Sequence, residues 1–438
     1  LATSPLHYSE QHKEQIVLSL QQAIYLAQKN DPWLIGNQHQ QQVLESMNVM
    51  ADTLPDPRVS IALANLGLSS LDFGQEAMSQ MKISVAQMFP RGDSLAIKQQ
   101  QLQLQSEQFP FQRNNRQGKV AVTVGLLWLD IYRVQQSIAL IESNRSLFEQ
   151  LADVAQASYS SALGKTRQQD LVRAQLELTR LEDKLFLLQQ KQNFFLGKLL
   201  PWLDLKSDIT QFSSLTVSLK LPQIESLQTK YMKGDVEISN EILVKRLQQH
   251  PSISAVNKKI AASKKGISLA HQQFKPAWGI NASYAYRADD AAGASRSDLL
   301  SLGFSFDLPI FSEKRQNYGV KAAISQTEAV KTEKLLLLRQ LISAYHSHQG
   351  RLIQLNKRKT LFDETLLPQI IDQSEASLTA YTNDDGDFAE VVRARIAQLT
   401  AQIDQLAINV EQQKIILELN YLFLNKNTPI SFAASGAK

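Results

Sequence analysis

His346 and His348 most readily suggest chemistry, because two imidazoles close in sequence can share a metal ion. On a helix, however, side chains two residues apart point to nearly opposite sides, so this pair does not chelate one ion unaided. Met78, Met81 and Met88 carry soft thioethers of the kind that hold copper, but they fall in or beside a predicted strand, where Met is ordinarily apolar filling. No specific metal site and no cofactor is expected. Zero Cys among 438 residues excludes disulfides, thiolate zinc sites and cysteine nucleophiles together. There is no phosphate-binding loop and no Ser nucleophile motif, so no enzyme is expected. The remaining candidates are charged and lie near predicted helix ends. Lys165, Thr166 and Arg167 follow Gly164, which permits a tight turn. Asp384, Asp385 and Asp387 make a second such segment acidic, and Glu390 with Arg393 has the i, i+3 spacing of a helical ion pair.

Long helices must position these residues. Gly (17) and Pro (13) make 30 of 438, about 7%, against roughly 12% in average usage. So few turn formers argue against an all-β sandwich or a doubly wound α/β domain. The chain is 43% hydrophobic and 20% charged, too apolar for disorder. Its formal net charge of +4 implies no polyanion and hence no nucleic-acid partner. The longest apolar stretch, Val120 to Leu129, is closed by Asp130 well short of the roughly 20 residues of a membrane-spanning helix. A β-barrel stays open, because its alternating strands leave no hydropathy peak. Leu1-Ala2-Thr3-Ser4-Pro5 shows no basic region followed by an apolar core, so no signal peptide is expected within this numbering.

The chain is written twice. Pro32 and Pro251, Pro57 and Pro276, and Pro90 and Pro309 are each 219 apart. Asp170-Leu171-Val172-Arg173-Ala174 matches Glu390-Val391-Val392-Arg393-Ala394 at offset 220. A period this long means two copies of a large unit. Each copy reads as a helix, two strands and a long helical hairpin. Val59, Ile61 and Leu63 alternate with small residues, as do Ile83 and Val85. Trp278, Ile280, Ala282, Tyr284 and Tyr286 repeat the pattern, and so do Leu300, Leu302, Phe304 and Phe306. Such period-two segments, expected to be about ten residues long, fit strands between lipid and a wet lumen; they also fit hairpins on a soluble core. The expected helices, from Arg91 to Ser160 and from Glu313 to Ala380, would reach roughly 100 Å, kinked at Pro110 or Pro368. They turn at Ser161 to Gln168 and at Tyr381 to Asp387, then return to about Leu200 and Leu424. Pro201 to Asn240 breaks the pattern as a connector. Four strands cannot close a barrel, and hydrocarbon cannot satisfy open edges, so partners from other chains are expected. Three chains would give twelve strands and gather the helices into a hollow cylinder.

This plan resembles the TolC family of outer-membrane efflux ducts across nearly the whole chain. The supporting residues are Leu54-Pro55-Asp56-Pro57 before the first strand, Asn65-Leu66 at its end, and Gln87-Met88-Phe89-Pro90-Arg91-Gly92 after the second. Asp307-Leu308-Pro309-Ile310-Phe311 stands in the second copy, with the tip motif Gly164 and then Asp170-Leu171-Val172. The first-copy motifs are most similar to the CzcC and CusC branch, which serves heavy-metal pumps of the RND type. The resemblance implies a mainly α fold with a small β part: a trimeric 12-stranded outer-membrane β-barrel continued by an α-helical periplasmic barrel. Its divisions would be N-terminal periplasmic helices at 1–56, a first β-hairpin at 57–90 and a first helical hairpin at 91–200. An equatorial connector at 201–240, a helix at 241–275, a second β-hairpin at 276–309 and a second helical hairpin with the C-terminal segment at 310–438 would follow.

The implied partners are two further copies, outer-membrane lipid, a periplasmic adaptor and an inner-membrane RND pump. Gly164, Lys165, Thr166, Arg167, Asp384 and Asp385 would touch the adaptor. The periplasmic constriction would be set by Glu390, Asp170 and Asp387, with Arg393 standing where the family has a second acid. Trp278 would belong to the periplasmic aromatic girdle. Cargo would be heavy-metal cations; drug efflux, type I secretion, or a soluble periplasmic coiled-coil scaffold are the alternatives.

Overall fold

The structure, a computed structural model, describes residues 16–69, 71–160, 168–203, 215–231, 238–311, 313–383 and 386–425. It divides into two compact units, each built from both copies of the repeat: residues 1–33, 114–251 and 339–438, and residues 34–113 and 252–338.

The second unit holds the strands β2 (Arg58–Ala64), β3 (Gln80–Phe89), β5 (Ala277–Tyr286) and β6 (Leu299–Asp307). The duplicated prolines mark its joints. Pro57 and Pro276 stand immediately before β2 and β5, while Pro90 and Pro309 follow β3 and β6, because a residue without an N–H fits best where a ladder begins or ends. All four strands pair antiparallel in one sheet, ordered β2-β3-β5-β6. The two hairpins join, since β3 pairs with β5 from Met81↔Tyr286 to Phe89↔Trp278, and among the described residues only the outer sides of β2 and β6 stay open. β2 has seven residues rather than about ten, because Asn65 turns the chain with a left-handed φ of 58°, a conformation Asn tolerates.

Two helices at one end of the strands, α2 (Pro32–Met50) and α7 (Pro251–Gln272), begin with the remaining proline pair, each at the first helical position. Gly92 (φ 47°) makes the exit from β3, where a Cβ would lie 2.2 Å from Lys275 Cδ. Arg91, beside it, donates to the Lys275 carbonyl at 2.7 Å and pairs with Asp307, so one cation ties the exit of the first hairpin to both ends of the second.

The first unit is helical. Its first element, β1 (Ile16–Leu18), leads into α1 (Leu20–Lys29), whose start is fixed by a capping box between Ser19 and Gln22. α4 (Phe109–Ser160) and α5 (Gln168–Leu203) form the first helical hairpin; α8 (Arg315–Leu361), α9 (Leu367–Thr382) and α10 (Phe388–Leu422) form the second, and α4 and α8 contribute residues to both units.

The expected continuous helix from Arg91 is broken: α3 (Ser94–Ser106) stops, and α4 starts after Glu107 and Gln108. Pro110 explains this. Its ring clashes with the carbonyl of Ser106, four residues back, while at the second position of a new helix its missing N–H costs nothing. α4 alone has 52 residues, about 78 Å. In the second copy the chain stays helical through Pro368 by passing through a π-turn at Phe362–Leu366, which absorbs the bond Pro368 cannot make to Glu364.

The segment 201–240, expected as a connector, has structure of its own. Pro201 sits inside the last turn of α5, and the segment carries β4 (Leu215–Val217), which pairs in parallel with β1. The short α6 (Asn240–Leu247), capped by Ser239, leads toward α7. One core of this unit gathers Trp128, Leu129, Leu199, Leu203, Val217 and Leu417; a second gathers Ile141, Phe148, Leu185, Val391 and Leu399.

Candidate functional site

Backbone pairing sets the chemistry of each sheet face. Because side chains alternate along a strand, residues paired across the sheet share a face. On one face run the rows Leu63, Met81, Tyr286; Ile61, Ile83, Tyr284, Leu300; and Val59, Val85, Ala282, Leu302, followed by Gln87, Ile280, Phe304 and then Phe89, Trp278, Phe306. Among the described residues nothing covers this face: Val59, Ile61, Leu63, Leu300, Leu302, Phe304 and Phe306 are 61–73% exposed. Such a contiguous apolar surface is far beyond what a soluble monomer leaves open.

Aromatic residues bracket the face. At the helical end Phe89 and Trp278 stack at 4.0 Å; at the other, Tyr286 stacks on Phe73 at 6.3 Å. The eight-residue step along β3 between these rows rises about 27 Å, and strand tilt brings that near the roughly 25 Å apolar band of an outer-membrane barrel.

The opposite face is small and polar. A serine row crosses all four strands as Ser60, Ser84, Ser283 and Ser301, flanked by Arg58, Ala86, Asn281 and Gly303 on one side and by Ala62, Lys82, Ala285 and Leu299 on the other. Gly303 leaves room for Asn281, whose Oδ1 would lie 2.4 Å from a Cβ there. The loop after β5 folds back on itself and on its neighbour. Arg287 donates to the Ala77 carbonyl at 2.7 Å, Arg296 to the Glu76 carbonyl at 3.1 Å, and Asp298 accepts from the Tyr284 hydroxyl and, at 3.0 Å, from the Arg287 amide. These two bonds lower the pKa of the Asp298 carboxyl.

The helical-end residues fare differently. Glu390 and Arg393 form their ion pair at 2.9 Å in the first turns of α10, both half exposed, and Arg393 Nε also donates to the Ala389 carbonyl at 3.3 Å. Asp387 is the N-cap of α10, its carboxylate accepting from the Ala389 amide at 3.1 Å. Asp170 lies in the first turn of α5, and its side chain is outside the described residues, as are Gly164, Lys165, Thr166, Arg167, Asp384 and Asp385.

Of the metal candidates, His348 Nδ1 contacts Glu418 Oε2 at 3.0 Å, and Arg351 approaches the same carboxylate at 3.6 Å, while His346 stacks edge-on against Tyr345. Burial pushes the Glu418 carboxyl pKa upward, but His348, Arg351 and Lys414 outweigh it and leave it lowered. Met81 and Met88 lie on opposite sheet faces, Met88 over Gly279. Among the described residues no three His, Asp or Glu side chains converge as metal ligands.

Sequence reasoning passed over two buried polar centres. Asp31, buried before α2, accepts from Arg116 Nε at 2.6 Å and Nη2 at 3.2 Å, and the guanidinium lies between the rings of Trp33 and Trp202. At the equivalent place in the second copy, His250 is fully buried, its Nε2 3.1 Å from the Tyr421 carbonyl. Burial pushes its pKa down to about 4. The 219-residue offset already aligned Asp31 with His250, and that alignment was the available signal.

Among the described residues no helix is long and apolar enough to cross a membrane. No protein-family model and no curated protein matches the sequence. Solved structures do. The chain is similar to CusC, a protein that forms a transmembrane channel, at 12% identity over 93% of this chain and 92% of that one, with a TM-score of 0.72. It is similar to the outer membrane protein VceC of Vibrio cholerae at 12% identity, over 92% and 95% of the two chains, with a TM-score of 0.72. The CmeC outer membrane channel of Campylobacter jejuni matches at 12% identity over 92% and 85%, with a TM-score of 0.70. With nearly complete coverage in both directions, the chain has the fold of these outer-membrane channel proteins.

Proposed function

We propose that the chain is the outer-membrane exit duct of a tripartite RND-type efflux system. The observation that carries this reading is the sheet: among the described residues one face is predominantly apolar and uncovered, the other is small and hydroxylated, and both edge strands are open. Four strands cannot enclose a lumen, and unpaired edge amides are not tolerated in hydrocarbon. Three copies would close twelve strands, turning the apolar face to lipid and the serine row to water.

The chain catalyses no reaction; the inner-membrane pump supplies the energy and the duct a gated aqueous path. The turn residues Gly164, Lys165, Thr166, Arg167, Asp384 and Asp385 meet the periplasmic adaptor. Glu390, Arg393 and Asp170 set the periplasmic constriction, with Asp387 fixing the start of the helix that bears the first two. Fractionation of cells tests this reading: the protein is expected to sediment with outer membranes and to require detergent. Recovery in the aqueous periplasmic fraction would leave the soluble scaffold as the account.

Cargo is the finer question. The first-copy motifs favour heavy-metal cations, and a strain lacking the chain would then lose tolerance to copper, silver, zinc, cobalt or cadmium. Unchanged tolerance to all five would move the assignment to drug efflux or type I secretion through the same duct.

A further inference from the structure

Two cations stand in the ladder on the hydroxylated sheet face, one row to either side of the serine row: Arg58 at the start of β2 and Lys82 within β3. Lys82 stands in β3 between Ala62 on β2 and Ala285 on β5, and Leu299 on β6 completes its row. Arg58 starts its strand and is two residues from Asp56 in sequence, and Asp307, at the end of β6, is paired with Arg91. The loops beyond the Lys82 end carry Asp72, Glu76, Asp289, Asp290 and Asp298 against Arg287 and Arg296. The mouth is therefore acidic and the wall behind it is not. Among the described residues Lys82 has no carboxylate partner.

We infer that Lys82 is a selectivity residue of the duct, drawing anionic organic solutes past the serine row and repelling bare cations. The inference rests on the duct reading above. An ammonium on a wall of hydroxyl and methyl groups, repeated by every chain that closes the barrel, sets the sign of the potential at its level. A bare divalent cation meets twice the repulsion of a monovalent one, so on cargo this wall opposes the first-copy motifs, and the metal-tolerance test above decides between them.

The absence of Cys makes the test direct, since one introduced thiol is a unique target. Ser84→Cys lies one same-face step from Lys82, and Val85→Cys lies on the apolar face. Each full-length variant is reconstituted in proteoliposomes. It is then treated with an anionic sulfonatoethyl or a cationic trimethylammonium-ethyl methanethiosulfonate, each rate normalised to that with free 2-mercaptoethanol. The ratio of the two cancels any change in thiol acidity. At low salt the Ser84→Cys thiol is expected to favour the anionic reagent roughly three-fold or more, and the preference to fade toward one in about 1 M salt. Lys82→Glu added to Ser84→Cys is expected to lower it to one or below, and the milder Lys82→Gln to lower it part of the way, Arg58 supplying the remainder.

A ratio at or below one with Lys82 present, or one that neither Lys82 substitution moves, overturns the inference while leaving the duct intact. Labelling of Val85→Cys in place of Ser84→Cys, or of both equally, would show that the apolar face does not meet lipid. That result removes the duct reading and the inference together.

Discussion

His250 shows how burial sets the behaviour of a single side chain. Its imidazole is neutral in the folded state because the charged form would lose its water, and the nearby Lys119 adds to that cost. A folded pKa of about 4 lies below the unfolded value of 6.5, so the unfolded chain binds the proton first as pH falls. The contribution to stability is complete above pH 6.5 and is lost progressively down to about pH 4, a total of roughly 3 kcal/mol. Thermal unfolding in detergent should therefore show a melting temperature that drops across this window, and His250→Asn should flatten the drop. An unchanged slope in the variant would place the acid sensitivity elsewhere.

Asp31, at the same place in the first copy, is held by charge instead. Asp31→Ala would strand the Arg116 guanidinium between two indole rings and is expected to cost about 2–4 kcal/mol, the pair being largely buried on the acid side. Both residues were invisible to motif reading because neither belongs to a motif. Their meaning comes from burial, which sequence spacing does not report. Asp387 illustrates the converse. Its acidity was legible as part of an acidic segment, but its use as the N-cap of α10 follows from backbone geometry.

At the scale of elements, legibility followed period and length. The strands of the sheet announced themselves because seven to ten residues suffice for alternation to show, and the prolines were legible because the duplication placed them in register. β1 and β4 have three residues each, too few for any period, and pair across 199 positions of sequence. Their anchor is Trp128, fully buried in α4, whose Nε1 donates to the Leu18 carbonyl at 2.9 Å. Trp128→Phe should cost about 1–2 kcal/mol, through the lost bond and the smaller ring, measured as a shift in unfolding midpoint.

Two glycines of the same helix do comparable work. A Cβ at Gly125 would lie 2.4 Å from Leu417 Cδ2, and one at Gly118 2.3 Å from Leu424 Cδ1, so α10 lies against α4 along a seam that tolerates no added methyl. Gly125→Val is expected to destabilise by about 1–3 kcal/mol, and Leu417→Ala in the same chain to recover part of that loss. The low glycine content foretold long helices. Which of the few glycines face a partner helix depended on the approach of α10, a tertiary fact.

At the scale of the whole molecule, the unsatisfied parts of one chain describe its assembly. Among the described residues β2 and β6 end the sheet with free edges, and the apolar face between them has no cover. A chain folded this way is stable in an aqueous compartment only if something else supplies hydrogen-bond partners to the edges and an apolar solvent to the face. Further copies supply the first and lipid the second, which is why the duct reading needs both at once.

Crosslinking between edge strands tests this most directly. In the cysteine-free chain, thiols at Ser60→Cys on β2 and Ser301→Cys on β6 occupy edge strands that would be adjacent only across a junction between copies. Isolated outer membranes treated with a short bifunctional maleimide should yield a covalent ladder ending at three chains, dependent on both thiols. Crosslinks confined within one chain, or a protein that stays monomeric and absent from the outer-membrane fraction, would contradict the account.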